Sequence, residues 1–235
     1  DSGKVMLTGE KNGKEFHYET GNIRKTWWEN ITYVPQAAQS VLNPIVRIKR
    51  QFLDSIPKEQ RGNETEEEVL NRVKKYLEEL QLSPDILEAY PFQLSGGMRQ
   101  RVIIALATFM SPGVVLADEP TTALDVVVQK GILMLLMRLQ RQFQNTIVLV
   151  SHDMGVHYQV TDRMGIMYSG SFAEIGRTGD IFRDPIHPYT KMLVDSLPRV
   201  GDKSQKAGIP RRPAVVLLRG GRKPQICAGR KCQSL

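Results

Sequence analysis

The sequence predicts an α/β domain built on a parallel sheet, and three observations carry that expectation. Val114-Val115-Leu116-Ala117 and Ile147-Val148-Leu149-Val150 are apolar runs without polar alternation, the pattern of parallel strands covered on both faces. Between them Ile132, Leu135, Leu136 and Leu139 recur at helical spacing, so strand, helix and strand form a βαβ unit with a right-handed crossover. The first run ends at two adjacent carboxylates, Asp118 and Glu119. A buried strand delivers such a pair to the carboxyl edge of the sheet, where open α/β sheets bind ligands.

The other elements follow in chain order. Val5-Met6-Leu7 is a short apolar run bounded by glycines, and Ile31-Thr32-Tyr33-Val34 is a further strand. Thr65 and Glu68 form a capping box ahead of Val69, Val73, Tyr76, Leu77 and Leu80, so residues 40 to 93 are expected to be a charge-rich helical insert. Val102, Ile103, Leu106 and Phe109 continue a helix that opens after Ser95-Gly96-Gly97. Met164 to Gly176 is expected to be a hairpin around Ser169-Gly170. After Pro198 the chain is rich in Arg, Pro and Gly without a period, and is expected to be an appendage or linker.

Composition narrows the class. Hydrophobic residues make up 41% of the 235, enough for a sizeable core. No apolar stretch reaches the roughly 18 residues of a membrane span, and the polar opening Asp1-Ser2-Gly3 shows no signal peptide. The formal charge is +7, but ten of the basic residues follow Pro198 against a single acid, Asp202. The preceding part is close to neutral. A basic tail can meet nucleic acid, anionic lipid or an acidic partner; a solvated end is the plainer reading. The two cysteines, Cys227 and Cys232, lie in that tail. They argue against a disulfide-stapled secreted fold and for a reducing, cytoplasmic setting.

Four short stretches carry chemistry. The first carboxylate of the Asp118-Glu119 pair can hold Mg²⁺ beside a nucleotide, and the second can polarise an attacking water as a general base. A strand that merely ends in an acidic turn is common. Ser95-Gly96-Gly97 opens a helix whose free N–H groups suit a phosphate, though Ser-Gly-Gly is often only a cap and a turn. His152, directly after the second apolar run, could meet a terminal phosphate. Gln36 follows Ile31 to Val34 across Pro35. Trp27-Trp28, His17, His157, His187, Met164, Met167 and Tyr168 are expected to serve packing or local structure rather than a cofactor or a metal.

In order and spacing, over residues 1 to about 180, these stretches resemble the ATP-binding-cassette ATPase family. The resemblance makes Gln36 the Q-loop glutamine and Leu94-Ser95-Gly96-Gly97 the family signature. Asp118 becomes the Walker B aspartate, which would hold Mg²⁺ together with Gln36, and Glu119 the catalytic base. Ala123-Leu124-Asp125 becomes the D-loop and His152 the catalytic H-loop switch. ATP contacts would fall on Gln36, Ser95, Gly96, Gly97 and Asp125. The implied fold is a P-loop NTPase (RecA-like) nucleotide-binding domain with a helical subdomain and its N-terminal part missing. Residues 1–39 would be a partial N-terminal lobe through the Q-loop, 40–93 the helical subdomain, 94–180 the rest of the core, and 181–235 a C-terminal extension.

Two stretches look like the oligopeptide, dipeptide and nickel importer branch: Gln36-Ala37-Ala38-Gln39-Ser40-Val41-Leu42-Asn43-Pro44, and Asp180 through the His187-Pro188-Tyr189-Thr190 motif. The branch's extension sometimes carries an iron–sulfur cluster, but two thiolates, Cys227 and Cys232, cannot complete four ligands, so two free thiols are the expectation. The resemblance implies an ATPase, with ATP and Mg²⁺, that powers an importer of peptides or a related solute from the cytoplasmic face of the membrane. Its partners would be transmembrane permease subunits, a second ATPase subunit of the same kind and, indirectly, an extracytoplasmic solute-binding protein, with no direct nucleic-acid contact. The rival readings are a soluble ATPase of the family acting on nucleic acid or ribosomes, and a non-catalytic fragment or regulatory subunit.

No Gly-x-x-x-x-Gly-Lys-Ser/Thr occurs in the sequence. Gly9-Glu10-Lys11-Asn12-Gly13-Lys14-Glu15 has three residues between its glycines and a Glu where the hydroxyl should bind Mg²⁺, and is expected to be a surface turn. Against the family, Asp1 aligns after the phosphate loop. The loop and the strand before it are therefore expected to be absent from this sequence, and the 235 residues alone to bind ATP weakly and hydrolyse it negligibly.

Overall fold

The computed structural model describes residues 6–11, 14–19, 30–36, 40–57, 61–197 and 214–219, the first two and the last of these ranges as backbone alone. Strands β1 (Met6–Lys11) and β2 (Lys14–Glu19) pair antiparallel as a hairpin. From the glycine-containing stretch, Gly9 to Lys11 and Lys14 to Glu15 therefore lie on two paired strands, not ahead of a helix, while Asn12 and Gly13 lie outside the described residues.

The main sheet has six strands: β3 (Ile31–Val34), β4 (Val114–Asp118), β5 (Thr146–Ser151), β6 (Arg163–Tyr168), β7 (Ser171–Arg177) and β8 (Ala214–Arg219), in the spatial order β3-β4-β5-β8-β6-β7. β3, β4 and β5 run parallel, whereas β8 is antiparallel to both β5 and β6. The stretch after Pro198 thus contributes a fully paired strand. Its sequence, Ala-Val-Val-Leu-Leu-Arg, has no period because a strand paired inside a sheet can be a continuous apolar run. β6 and β7 form the expected hairpin, with Ser169 (φ 49°) and Gly170 (φ 79°) both left-handed at its tip, the requirement of a two-residue turn that matches the strand twist.

Seven α-helices accompany the sheet among the described residues: α1 (Ile48–Ser55), α2 (Glu66–Glu79), α3 (Gly96–Thr108), α4 (Val126–Phe143), α5 (Met154–Val160), α6 (Thr178–Arg183) and α7 (Pro188–Asp195). α2 starts on the predicted capping box, with Thr65 accepting from the Glu68 N–H and Glu68 accepting from the Thr65 N–H. The box satisfies helix N–H groups that have no partner within the helix. Its apolar stripe, Val69, Val73, Tyr76 and Leu77, is buried. Tyr76 ties the insert to α3 through a 2.7 Å hydrogen bond to Thr108 and a tilted contact with Phe109, so the stripe that formed the helix also fixes it to the core.

Burial across the parallel strands corrects one expectation. Val115, Ala117, Ile147 and Leu149 are buried, whereas Val114, Leu116, Val148 and Val150 on the opposite face are only half-buried. Leu133, Leu136 and Met137 of α4 line a small apolar cavity with Ile147, Leu149 and Val160 on the buried face. The described residues cover one face of β4 and β5 well and the other in part. An apolar run marks β-branched packing on both faces but does not report which elements supply the cover.

Candidate functional site

β4 and β5 end beside each other at the carboxyl edge, with Asp118 aligned to Val150. Asp118 is half-buried, and the hydroxyl of Tyr33, on β3, donates to its Oδ2 at 2.9 Å. The chain then turns sharply. Glu119 has φ 46°, a left-handed conformation that costs a non-glycine residue about 1 kcal/mol or more. Its N–H donates to the Val150 carbonyl at 2.9 Å, which locks the turn to β5 and sends its carboxylate toward the end of that strand.

There the carboxylate meets three donors. His152 Nδ1 lies 2.7 Å from Oε1 and 2.9 Å from Oε2, the His152 N–H donates to Oε1 at 3.2 Å, and the Thr122 hydroxyl donates to Oε2 at 2.6 Å. A carboxylate only accepts, so Nδ1 carries the proton and Nε2 is left for another partner. Partial burial alone would raise the Glu119 pKa, but the hydrogen bonds from Thr122 and His152 outweigh it and hold the carboxyl below the ordinary range. Glu119 is therefore ionised at neutral pH. His157, on α5, supports the same corner from beneath: it is fully buried, and its Nε2 lies 3.1 Å from the carbonyl of Ser151, the residue before His152. Burial pushes the His157 pKa down, so it is neutral and its Nε2–H donates to that carbonyl.

The signature and D-loop residues form a second cluster. Ser95 caps α3, its hydroxyl accepting from the Met98 N–H at 3.3 Å. Asp125 caps α4, its Oδ1 accepting from the Val127 and Val128 N–H groups at 3.0 and 2.9 Å. The two helix starts abut: a Cβ on Gly97 would stand 2.7 Å from Val128 Cγ1, while Gly96 faces Leu124 with ordinary contact space. Only glycine fits at 97 without displacing Val128. No hydrogen bond joins this cluster to Glu119 or His152 among the described residues.

Gln36 sits on a bend just past β3 and is exposed, without a hydrogen bond among the described residues. Cys227 and Cys232 lie outside the described residues. So do Trp27 and Trp28, and of His17 only the backbone is described. His187 is local: its ring nitrogen accepts from the Tyr189 N–H to cap α7. Two residues were missed from sequence, Tyr33 and Thr122. Thr122 had a usable signal, a hydroxyl three residues after Glu119 in a turn. Tyr33 had none, because its contact crosses 85 positions and depends on strand register.

The donor set suits Mg²⁺. That ion keeps several waters and takes one or two carboxylates with substrate phosphates. Asp118 Oδ1, a hard oxygen at the strand end, has no hydrogen-bond partner among the described residues. Among them, no cluster of three or more His, Cys, Asp or Glu could hold a metal.

Adjacent parallel strands whose ends carry an aspartate, a glutamate and a histidine, flanked by two abutting helix starts, fit the architecture of a nucleotide-binding α/β domain. The chain belongs to the ABC transporter family: the model of that family matches residues 1–122, and a model described as the C-terminal region of oligopeptide/dipeptide transporters matches residues 173–219. The dipeptide transport ATP-binding protein DppD of Caldanaerobacter subterraneus subsp. tengcongensis is 39% identical over 219 residues, which cover 92% of this chain and 66% of that protein. The glutathione import ATP-binding protein GsiA of Escherichia coli is 37% identical over 219 residues, 92% of this chain and 34% of that protein. The chain thus spans just under two thirds of the one relative and about one third of the other. Among solved structures it resembles the ATP-binding cassette MJ0796, a dimer in a post-hydrolysis state bound to ADP and Pi, with a TM-score of 0.58, 29% identity and 72% of each chain covered.

Proposed function

We propose that the chain is the nucleotide-binding part of an ATPase subunit that powers import of small peptides, a class in which dipeptides and glutathione are the first candidates. The observation that carries the reading is the Glu119–His152 pair beside Asp118 at the end of parallel strands. The names of the two relatives support the solute class.

In this reading Glu119, ionised and fixed by Thr122 and His152, polarises the attacking water and accepts its proton. His152 turns its Nε2 edge toward the terminal phosphate, to whose oxygens that nitrogen donates only when it too carries a proton, while Nδ1–H keeps the ring and the base in one geometry. Asp118 would hold Mg²⁺, which would neutralise developing phosphate charge. Ser95, Gly96, Gly97 and Asp125 serve a phosphate held by a second subunit, and Gln36 links the site to the permease. No helix among the described residues is long and apolar enough to cross a membrane, which fits a subunit that works through membrane partners at the cytoplasmic face. Exposed Ile45 (82%) and Phe92 (69%), the latter stacked on Tyr90, offer an apolar surface on the helical insert for those partners.

The test is reconstitution of the full-length subunit with its permease and binding protein in vesicles. Dipeptide or glutathione should stimulate ATP hydrolysis and accumulate inside. Hydrolysis that ignores both solutes, with RNA or ribosomes stimulating it instead, would replace this reading with the soluble alternative.

A further inference from the structure

Tyr33 stands apart from the groups assigned so far. β3 and β4 are parallel, and Tyr33 is aligned with Leu116. Asp118 lies two positions further along β4 on the same face, a diagonal distance that an aromatic side chain can bridge. Tyr33 bridges it: its hydroxyl reaches Asp118 Oδ2 at 2.9 Å, and this is the carboxylate's one hydrogen bond among the described residues. The flanking residues Thr32 and Val34 are buried, whereas Tyr33 is 43% exposed. The side chain is therefore on the more open face, with Asp118, rather than packed into the core. Gln36 follows three residues later on the same strand exit.

We propose that Tyr33 is the positioning residue for Asp118: by holding Oδ2 it fixes the carboxylate rotamer, presents Oδ1 to the cation that accompanies the nucleotide, and ties that carboxylate to the strand leading into Gln36. The proposal rests on the reading of Asp118 as the Mg²⁺ carboxylate. Without the hydroxyl, Asp118 has no other hydrogen-bond donor among the described residues to select among its rotamers. The phenol also withdraws a little charge from the carboxylate, which works against cation binding. The orienting effect is the larger, since partners that orient a metal's ligands are typically worth about 10- to 100-fold in metal affinity.

The experiment uses the full-length subunit carrying Tyr33→Phe, Tyr33→Met or Asp118→Asn, each in a Glu119→Gln background so that nucleotide is not consumed. Mn²⁺ replaces Mg²⁺, and the free ion is followed by electron paramagnetic resonance during titration in the presence of saturating ATP. Nucleotide binding in EDTA and the melting temperature are measured alongside. Tyr33→Phe and Tyr33→Met should both weaken Mn²⁺ binding about tenfold, with cation-free nucleotide binding and melting unchanged. Wild-type or tighter Mn²⁺ binding in the Tyr33 variants, alongside loss in Asp118→Asn, overturns the role of Tyr33 and leaves Asp118 standing. Unchanged Mn²⁺ binding in Asp118→Asn as well removes the reading of Asp118 and the proposal with it. A loss in the Tyr33 variants matched by equal loss of cation-free nucleotide binding and of melting temperature makes Tyr33 a strand lock only, and also overturns the proposal.

Discussion

At the scale of single residues, the Glu119 carboxylate is the base in the proposed reading. It is oriented by a left-handed backbone, two hydrogen bonds from His152 and one from Thr122. Glu119→Gln keeps the shape and the bond from Thr122 but removes the base. In the full-length subunit it should retain ATP binding and lose about 10²- to 10⁴-fold in kcat; steady-state turnover within a factor of two of wild type would remove Glu119 from the base role. His157 gives a different prediction. Its pKa is lowered because burial penalises the charged ring more than the Ser151 carbonyl, Asp153 and Glu119 favour it. Its Nδ1 has no hydrogen-bond partner among the described residues, so charging it would place an unsatisfied N–H in the core. The unfolded state then binds the proton more readily than the folded state, and the contribution of neutral His157 is complete above the ordinary imidazole value of about 6.5. It is lost as pH falls from there toward the lower folded value. The wild-type melting temperature should drop over that window. His157→Gln, which can still donate to the Ser151 carbonyl, should flatten the drop, and a slope identical to wild type would show that His157 does not titrate there.

At the scale of elements, the abutting starts of α3 and α4 set the spacing of the signature and D-loop residues. Gly97→Ala would place a methyl 2.7 Å from Val128 Cγ1, closer than real contacts allow, so the Val128 side chain or one of the helices must shift. The expected cost is about 1–3 kcal/mol of stability, seen as a lower denaturation midpoint. Val128→Ala should restore most of it in the double variant; two additive losses would show that the crowding lies elsewhere. Much at this scale was legible in the sequence. The Thr65–Glu68 box, the Val69-to-Leu77 stripe and the Ser169-Gly170 turn each rest on local spacing, which sequence carries. The candidate carboxylates and His152 were legible because they sit directly after apolar runs. β8 was not, since its pairing between β5 and β6 depends on partners far away in sequence, and an apolar run such as Ala214 to Leu218 lacks a period to announce it. For the same reason Tyr33 was invisible: register between β3 and β4 decides whether its hydroxyl meets Asp118. The caps formed by Ser95 and Asp125 were half legible. Their residue types announce a helix start, but both side chains are occupied by their own helices here.

At the scale of the whole molecule, the two clusters pose a question that one chain does not answer. Asp118, Glu119 and His152 share one corner, while Ser95 and Gly97 lie at the start of α3 with no hydrogen bond to it among the described residues. If, as proposed, the α3 start serves a phosphate and Glu119 is the base, their separation is explained when that phosphate belongs to a second copy. Val126 and Val127, next to Asp125, are 80% and 81% exposed, apolar surface that closure of two such faces would cover. The related cassette solved as a dimer has the same fold. Ser95→Arg in the full-length Glu119→Gln subunit should therefore leave nucleotide binding by the monomer within about twofold and abolish the ATP-dependent dimer in sedimentation velocity. The substitution also removes the cap on α3, worth about 1 kcal/mol, so Ser95→Ala is the matching control. It loses the same cap without adding bulk or charge, and should still dimerise, though more weakly. If Ser95→Arg and Ser95→Ala fail alike, the defect is the lost cap rather than a blocked interface. If Ser95→Arg instead lowers monomer nucleotide binding as much as it lowers dimerisation, the α3 start serves a phosphate within its own chain, and the two-copy arrangement must be abandoned.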